Sequence, residues 1–221
     1  MNREELAKFI DHTQLNPFAT EDDIKKLAEE AKRYHFYSVV VNPYYVKLSK
    51  QLVKGTDIKV VSVVGFPFGV TYKEVKAYEA ELAIKDGADE IDMVMNISAA
   101  KSGRWDVVRD DIKAVNDAVK KHGKILKVIL ETGYLTDDEK VKACEVAVEA
   151  GADFVKTSTG FGKGGATVHD VELMYRTVKG KAQVKAAGGI HSADDALAMI
   201  KAGATRIGAS HSVQIIESLK Q

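Results

Sequence analysis

The sequence has almost no cysteine. One, Cys144, stands among 221 residues, so no intrachain disulfide can form and the chain reads as intracellular. Net charge is absent too: 32 basic and 32 acidic residues cancel, and no run of like charge exceeds a few positions, which leaves no basic stripe for nucleic acid. Nowhere do eighteen apolar residues run together, and the opening MNREELAKFI lacks the apolar stretch of a signal peptide. A soluble cytoplasmic protein is expected, without nucleic-acid or membrane partners. The six histidines, His12, His35, His122, His169, His191 and His211, form no HxxxH or HxH pair and no cysteine cluster accompanies them. A zinc or iron site is therefore not expected, and no metal or other cofactor is invoked. No Pro- or Ser-rich stretch divides the chain, so residues 1–221 read as one domain. Cys144 lies in the helical pattern DDEKVKACEVAVEA, where it reads as packing rather than as a nucleophile.

What is present is an ordinary globular composition, 45% hydrophobic and 29% charged, and a repeated junction. DGADEIDMVM from Asp86, AGADFVKTST from Ala150 and AGATRIGASH from Ala202 each follow an amphipathic run. A helix ending in Gly, where a left-handed cap is cheap, followed by a short β-type run is the αβ junction of an alternating fold. Five residues past the glycine stand Asp92 after Gly87, Lys156 after Gly151 and Gly208 after Gly203; the junction GKAQVKAAGG adds Lys185 after Gly180. The count predicts equivalent heights for these four on their strands. Eight strands are expected, near 9–13, 37–41, 58–64, 90–95, 125–130, 153–157, 183–187 and 205–208, with helical patterns between them; TEDDIKKLAEEAKRY opens with a Thr20 cap and Asp23. Continuous apolar strands alternating with helices imply a parallel sheet covered on both faces. Eight such units favour an α/β fold of the closed (β/α)8 barrel type over an open doubly wound sheet, with short loops.

In such a barrel the site lies at the carboxyl ends of the strands. Those ends carry Asp11-His12-Thr13, Asn42-Pro43, Gly65-Phe66-Pro67, Asp92 with Asn96, Glu131-Thr132, Lys156-Thr157-Ser158-Thr159, Lys185 with Gly188-Gly189, and Gly208-Ala209-Ser210. One polar strand end is a solvated end; eight together point to a site. A lysine that attacks a carbonyl must be a free amine, yet an ordinary lysine is nearly all protonated at neutral pH. A second cation and a desolvated site both favour the free amine. Lys185 stands on the strand after Lys156, and neighbouring parallel strands lie about 4.8 Å apart, so the pair can activate itself. Asp92 can then move protons to and from the adduct.

Gly160-Phe161-Gly162-Lys163-Gly164-Gly165 offers a competing meaning, since it matches G-x-G-x-x-G between a strand and a helix. A dinucleotide fold wants an acid at the end of the next strand, and here that strand carries Lys185. A loop gathering backbone N–H groups for one phosphate fits better. A dinucleotide enzyme and a non-catalytic sugar-phosphate binding module both remain as alternatives to an amine catalyst.

DFVKTSTGF, VKAAGGI, GADEIDMV, LKVILETG, GFPFG, IDHTQL and ATRIGAS, in that family's order and over residues 9 to 216, together resemble the deoxyribose-phosphate aldolases. The resemblance implies a metal-free class I aldolase, a lyase on a TIM barrel, that interconverts 2-deoxyribose 5-phosphate with acetaldehyde and glyceraldehyde 3-phosphate. It implies Lys156 as the Schiff-base lysine, Lys185 as the lysine that perturbs it and Asp92 as the proton shuttle. Lys127 and Thr157 support them; Lys127, without the resemblance, also reads as a strand lysine that snorkels to water. For the phosphate, backbone N–H groups and side chains of Gly162, Lys163, Gly188, Gly189, Gly208, Ser210 and His211 are expected. The partners implied are small aldehydes and sugar phosphates, and a homodimer.

Departures cluster at the phosphate end. His191 stands in GGIH where the family commonly has arginine, and the last loop runs Gly208-Ala209-Ser210-His211-Ser212 where small residues are usual. Gln14 and Phe18 differ after the first strand. Some relatives end in a tyrosine tail that assists proton transfer; ESLKQ stands here, so water or another residue is expected to serve. With two histidines where an arginine and a small residue are usual, weaker phosphate affinity and better use of unphosphorylated aldehydes are expected.

Overall fold

The structure, a computed structural model, describes residues 1–220; the last residue of the ESLKQ tail lies outside the described residues. The elements run α1 (Arg3–Ala7), β1 (Ile10–Gln14), α2 (Glu21–Tyr34), β2 (Ser38–Val41), α3 (Val46–Leu52), β3 (Lys59–Val64), α4 (Lys73–Lys85), β4 (Glu90–Val94) and α5 (Ile97–Lys101). They continue through α6 (Trp105–Lys121), β5 (Ile125–Ile129), α7 (Asp137–Glu149), β6 (Phe154–Lys156), α8 (Val168–Val178), β7 (Gln183–Ala187), α9 (Ala193–Ala202), β8 (Arg206–Ala209) and α10 (Ser212–Ser218). The eight strands pair in parallel and in sequence order, and β8 closes onto β1: a (β/α)8 barrel. All eight expected strands are present.

Local chemistry explains the elements. β2 is SVVV, buried at every position, and β3 is KVVSVV; β-branched residues covered on both faces suit a parallel strand. On α2 the buried Ile24, Leu27, Ala28 and Ala31 recur at helical spacing, and Thr20 and Asp23 form the expected capping box. Thr136 with Glu139 and Ser192 with Asp195 start α7 and α9 in the same way. Glycine ends α9 for two reasons at once. Gly203 has φ of +122°, and a Cβ there would lie 2.4 Å from the Tyr175 ring.

Most of the apolar core lies between the barrel and its helices, where Ile91, Leu126, Val155, Val184 and Ile207 are buried. A smaller apolar set, Leu15, Val40, Val61 and Val63 with Phe66, fills one side of the barrel interior. The other side is charged. Ladder register corrects the glycine count there. Lys156 does pair with Lys185, but Asp92 pairs with Lys127, two residues below the Val94–Ile129–Lys156 rung, and Gly208 pairs with Ala187, two residues beyond Lys185. Closing a sheet into a barrel staggers the register, so equal distance from a helix end does not place residues on one rung. The same stagger brings Asp92 under the two lysines.

Candidate active site

Lys156 ends β6 and Lys185 is the middle residue of β7, paired across the ladder. Both amines reach the same oxygen: Asp92 Oδ2 accepts from Lys156 Nζ at 3.1 Å and from Lys185 Nζ at 2.8 Å. Asp92 Oδ1 accepts from Lys127 Nζ at 2.8 Å. Lys127 is fully buried, which overturns the snorkelling alternative: its strand is enclosed on both faces and water is out of reach. Thr157 Oγ1 donates to the Ala187 carbonyl at 3.0 Å and accepts from the Ala187 N–H at 3.1 Å, tying β6 to β7 just beyond the lysines. Gly208 makes room, since a Cβ there would meet Lys185 Cε at 3.0 Å.

Burial and charge act on these groups in opposite senses. Burial first, and the Lys185 ammonium second, push Lys156 down to about 8 against the pull of Asp92. Burial would raise the Asp92 carboxyl, but Lys127, Lys185 and Lys156 together hold it well below the usual carboxylate range. Burial likewise opposes the charge on Lys127, and Asp92, Asp11 and Glu90 overcome it and raise the ammonium above its ordinary value. The result is one amine close to neutrality beside a carboxylate that stays ionised.

A cavity of about 570 Å³ opens over the strand ends. Lys156, Thr159, Phe161, Gly188, Gly189, Gly208, Ser210, His191 and His211 are among its lining residues, whereas Asp92, Lys127, Lys185 and Thr157 lie beneath it. Gly162 and Lys163 do not line it. The glycine-rich loop is instead packed by its backbone: a Cβ at Gly162 would lie 2.7 Å from Glu131 Oε2 and one at Gly165 2.5 Å from the Gly188 carbonyl. The Ala166 N–H donates to that carbonyl at 2.9 Å. Glu131, in the left-handed region at φ +59°, accepts from the Thr159 N–H and hydroxyl and so fastens the segment after Lys156. Close packing accounts for these glycines without a dinucleotide. Cys144 is buried on α7, and burial pushes its thiol up to about 12, so it stays an unreactive packing group.

Sequence reasoning missed the lower tier of the charged interior: Glu90, Arg206 and, as a site residue, Asp11. Asp11 Oδ2 lies 2.5 Å from Lys185 Nζ, and Arg206 Nη1 donates to Asp11 Oδ1 at 3.1 Å and Glu90 Oε2 at 2.9 Å. The period of two was the available signal, since Glu90 precedes Asp92 and Arg206 precedes Gly208 by two residues and each must share its face.

The barrel and the cavity at its strand ends define a (β/α)8-barrel enzyme. Comparison narrows the class: the model of the DeoC/LacD family aldolases matches residues 6–213, and the chain belongs to that family, an aldolase and hence a lyase. It is 61% identical, over 100% of its length and 99% of the relative's, to the deoxyribose-phosphate aldolase of Aciduliprofundum boonei. Identity to that of Thermococcus gammatolerans is 57%, over 98% of this chain and 97% of the other. The solved deoxyribose phosphate aldolase of Aeropyrum pernix, a tetramer, superposes with a TM-score of 0.93 at 36% identity, covering 98% of this chain and 92% of that one. Among the described residues no helix is long and apolar enough to cross a membrane.

Proposed function

We propose that the chain cleaves 2-deoxy-D-ribose 5-phosphate reversibly to acetaldehyde and D-glyceraldehyde 3-phosphate through a Schiff base on Lys156. The observation that carries this is the meeting of access and activation in one residue: of the buried lysines around Asp92, Lys156 is the one that lines the cavity, and its amine is the one pushed down to about 8. The free amine attacks C1 of the open-chain sugar, and loss of water leaves a protonated imine. That imine withdraws the electron pair of the C2–C3 bond as the C3 hydroxyl gives up its proton. Glyceraldehyde 3-phosphate departs, leaving an enamine on Lys156. Protonation at C2 and hydrolysis release acetaldehyde and restore the amine.

Lys185 supplies the repulsion that frees the amine, and Lys127 holds the far oxygen of Asp92. Asp92 is a weak base while three ammonium groups surround it, so its proton transfers belong to the states in which Lys156 has discharged its own proton. Thr157 keeps the two lysine strands in register. The phosphate end is assigned to Gly188, Gly189, Gly208, Ser210 and His211, whose backbone and side chains line the cavity beyond Lys156. Gly162 and Lys163, set outside that lining, have only an indirect part.

Acetaldehyde followed by borohydride tests the assignment. One reduced adduct, mapped to Lys156 by mass spectrometry, with activity undiminished in EDTA, is the expected result; no adduct, or label spread over surface lysines, would sink it. A homo-oligomer is also proposed, supported by the exposed apolar stripe Val75, Tyr78 and Leu82 on α4 with Tyr72 before it. Light scattering at two concentrations should return a mass above that of one chain, and Tyr78→Glu should lower it. A monomeric mass for the parent would end this proposal.

A further inference from the structure

Beneath Asp92 lies a second tier of charge that no step of this reaction touches. Glu90 stands two residues before Asp92 on β4, and Arg206 opens β8 on the rung of Lys185. Both are buried, at 1% and 6% exposure, and neither lines the cavity. Glu90 Oε2 lies 2.5 Å from Lys127 Nζ and 2.9 Å from Arg206 Nη1. Glu90 Oε1 accepts from the Tyr37 hydroxyl at 3.1 Å, and the Arg206 guanidinium sits over the Tyr37 ring, 3.7 Å from its centroid.

The interior of the barrel holds three carboxylates, Asp11, Glu90 and Asp92, in contact with four bases, Lys127, Lys156, Lys185 and Arg206. Three ionised pairs leave this interior neutral and one base in surplus. Lys127 lies within 4 Å of all three carboxylates, and Lys185 and Arg206 each of two. Lys156 has one, through an oxygen it shares with Lys185. A proton is most easily lost from the base with the fewest anionic partners. By the geometry that base is Lys156, which also faces the cavity.

We propose that Glu90 and Arg206 are positioning residues for charge: without touching substrate, they fix the balance of the interior and so decide that Lys156 is the amine left neutral. The proposal rests on Lys156 as the Schiff-base lysine. Facing Lys156 are Asp92 from β4, Lys185 from β7 and Lys127 from β5, with Asp11 of β1 and Arg206 of β8 behind them. A unit charge about 10 Å away, at an effective dielectric of about 20, displaces an amine's titration by about one pH unit. Taking away a negative charge moves the free amine to lower pH; taking away a positive one moves it to higher pH.

The test is the acid limb of kcat/KM for sugar-phosphate cleavage, with borohydride trapping of acetaldehyde followed over the same pH range. Glu90→Gln should move both limbs down by about one unit, and Arg206→Gln should move both up by a similar amount. The double variant, in balance again, should return them to the parent's position. Tyr37→Phe, which removes a contact to Glu90 without changing charge, should leave them in place. Damage to packing lowers rates but does not move limbs in opposite directions and restore them in combination. Limbs that stay put in Glu90→Gln and Arg206→Gln overturn the proposal. Where neither single variant folds, a displaced limb in the double variant overturns it and a coincident one supports it. Parent enzyme that fails to label at Lys156 breaks the Schiff-base assignment instead, so the two failures are told apart.

Discussion

The floor of the barrel and its rim are built on opposite terms. In the floor Asp11, Glu90, Asp92, Lys127, Lys185 and Arg206 are buried, and each lies in ion-pair contact with another. At the rim Ser210, His191 and His211 are exposed, and the two imidazoles meet edge to face with centroids 4.9 Å apart. A buried charge that loses its partner costs several kcal/mol, about 3 to 5 in measured cases, whereas an exposed side chain changes with little effect on the fold. Under the proposed reaction, bond-making rests on groups whose substitution is expensive, and recognition of the far end of the substrate on groups whose substitution is cheap.

The sharpest way to break this contrast is Lys185→Leu in the floor. Without the second ammonium, Lys156 keeps its proton to higher pH, so kcat/KM at neutral pH should fall by orders of magnitude and the remaining activity should move to alkaline pH. Circular dichroism must show that the variant folds, because Asp11 and Asp92 each lose a partner. An unchanged pH profile in folded protein would show that Lys185 has another role.

A smaller effect, on stability, separates function from fold. Lys156 is held at about 8 against an ordinary 10.5, so between those values the unfolded chain binds its proton more tightly than the folded one. The sign follows: this lysine costs stability below about pH 8, and the cost fades as pH rises toward the ordinary value. The gap corresponds to about 3 kcal/mol as an upper bound. Lys156→Met should therefore raise the urea midpoint near neutral pH, and much less under strongly alkaline conditions. A variant no more stable than the parent at neutral pH would mean that the site is not strained by its buried amine.

The same contrast governs what could be read in the sequence. β2 and β3 were legible as runs of apolar residues covered on both faces, and β4, β6, β7 and β8 by the glycine that ends the segment before each. The Lys156–Lys185 pair was legible because successive αβ junctions of equal length deliver their fifth residues to one rung. The count failed for Asp92 and Gly208, since the stagger of a closed barrel accumulates from strand to strand and belongs to no local stretch. Glu90 and Arg206 open their strands, where a polar residue usually marks the solvated end; the period of two puts them on the inward face, and closure of the barrel makes that face a buried floor. At the rim, Lys163 reads as a phosphate residue because it sits in a glycine-rich loop and from the resemblance, whereas that loop is fastened by Glu131 and Gly188 and Lys163 lies outside the cavity lining.

The rim itself yields the smallest expected effect. His191 and His211 line the cavity near Gly188, Gly189 and Ser210, and imidazole is the side chain whose charge changes across the physiological range. Around them stand Asp195, which accepts from the His191 backbone N–H, and Glu30, Asp23 and Lys26 on the α2 side of the cavity. The backbone N–H groups of the glycines persist at every pH, so 2-deoxyribose 5-phosphate should be accepted throughout. Its advantage over unphosphorylated 2-deoxyribose should nevertheless be larger at about pH 6 than at about pH 8, by a few-fold. Replacing His191→Arg together with His211→Ser should raise the preference for the phosphorylated sugar and flatten its pH dependence, because arginine is charged throughout. On the proposed assignment of bond-making to Lys156 and Asp92, the change should appear in KM. A ratio of kcat/KM values that ignores both pH and the substitutions would make the two histidines bystanders and leave phosphate recognition to the backbone alone.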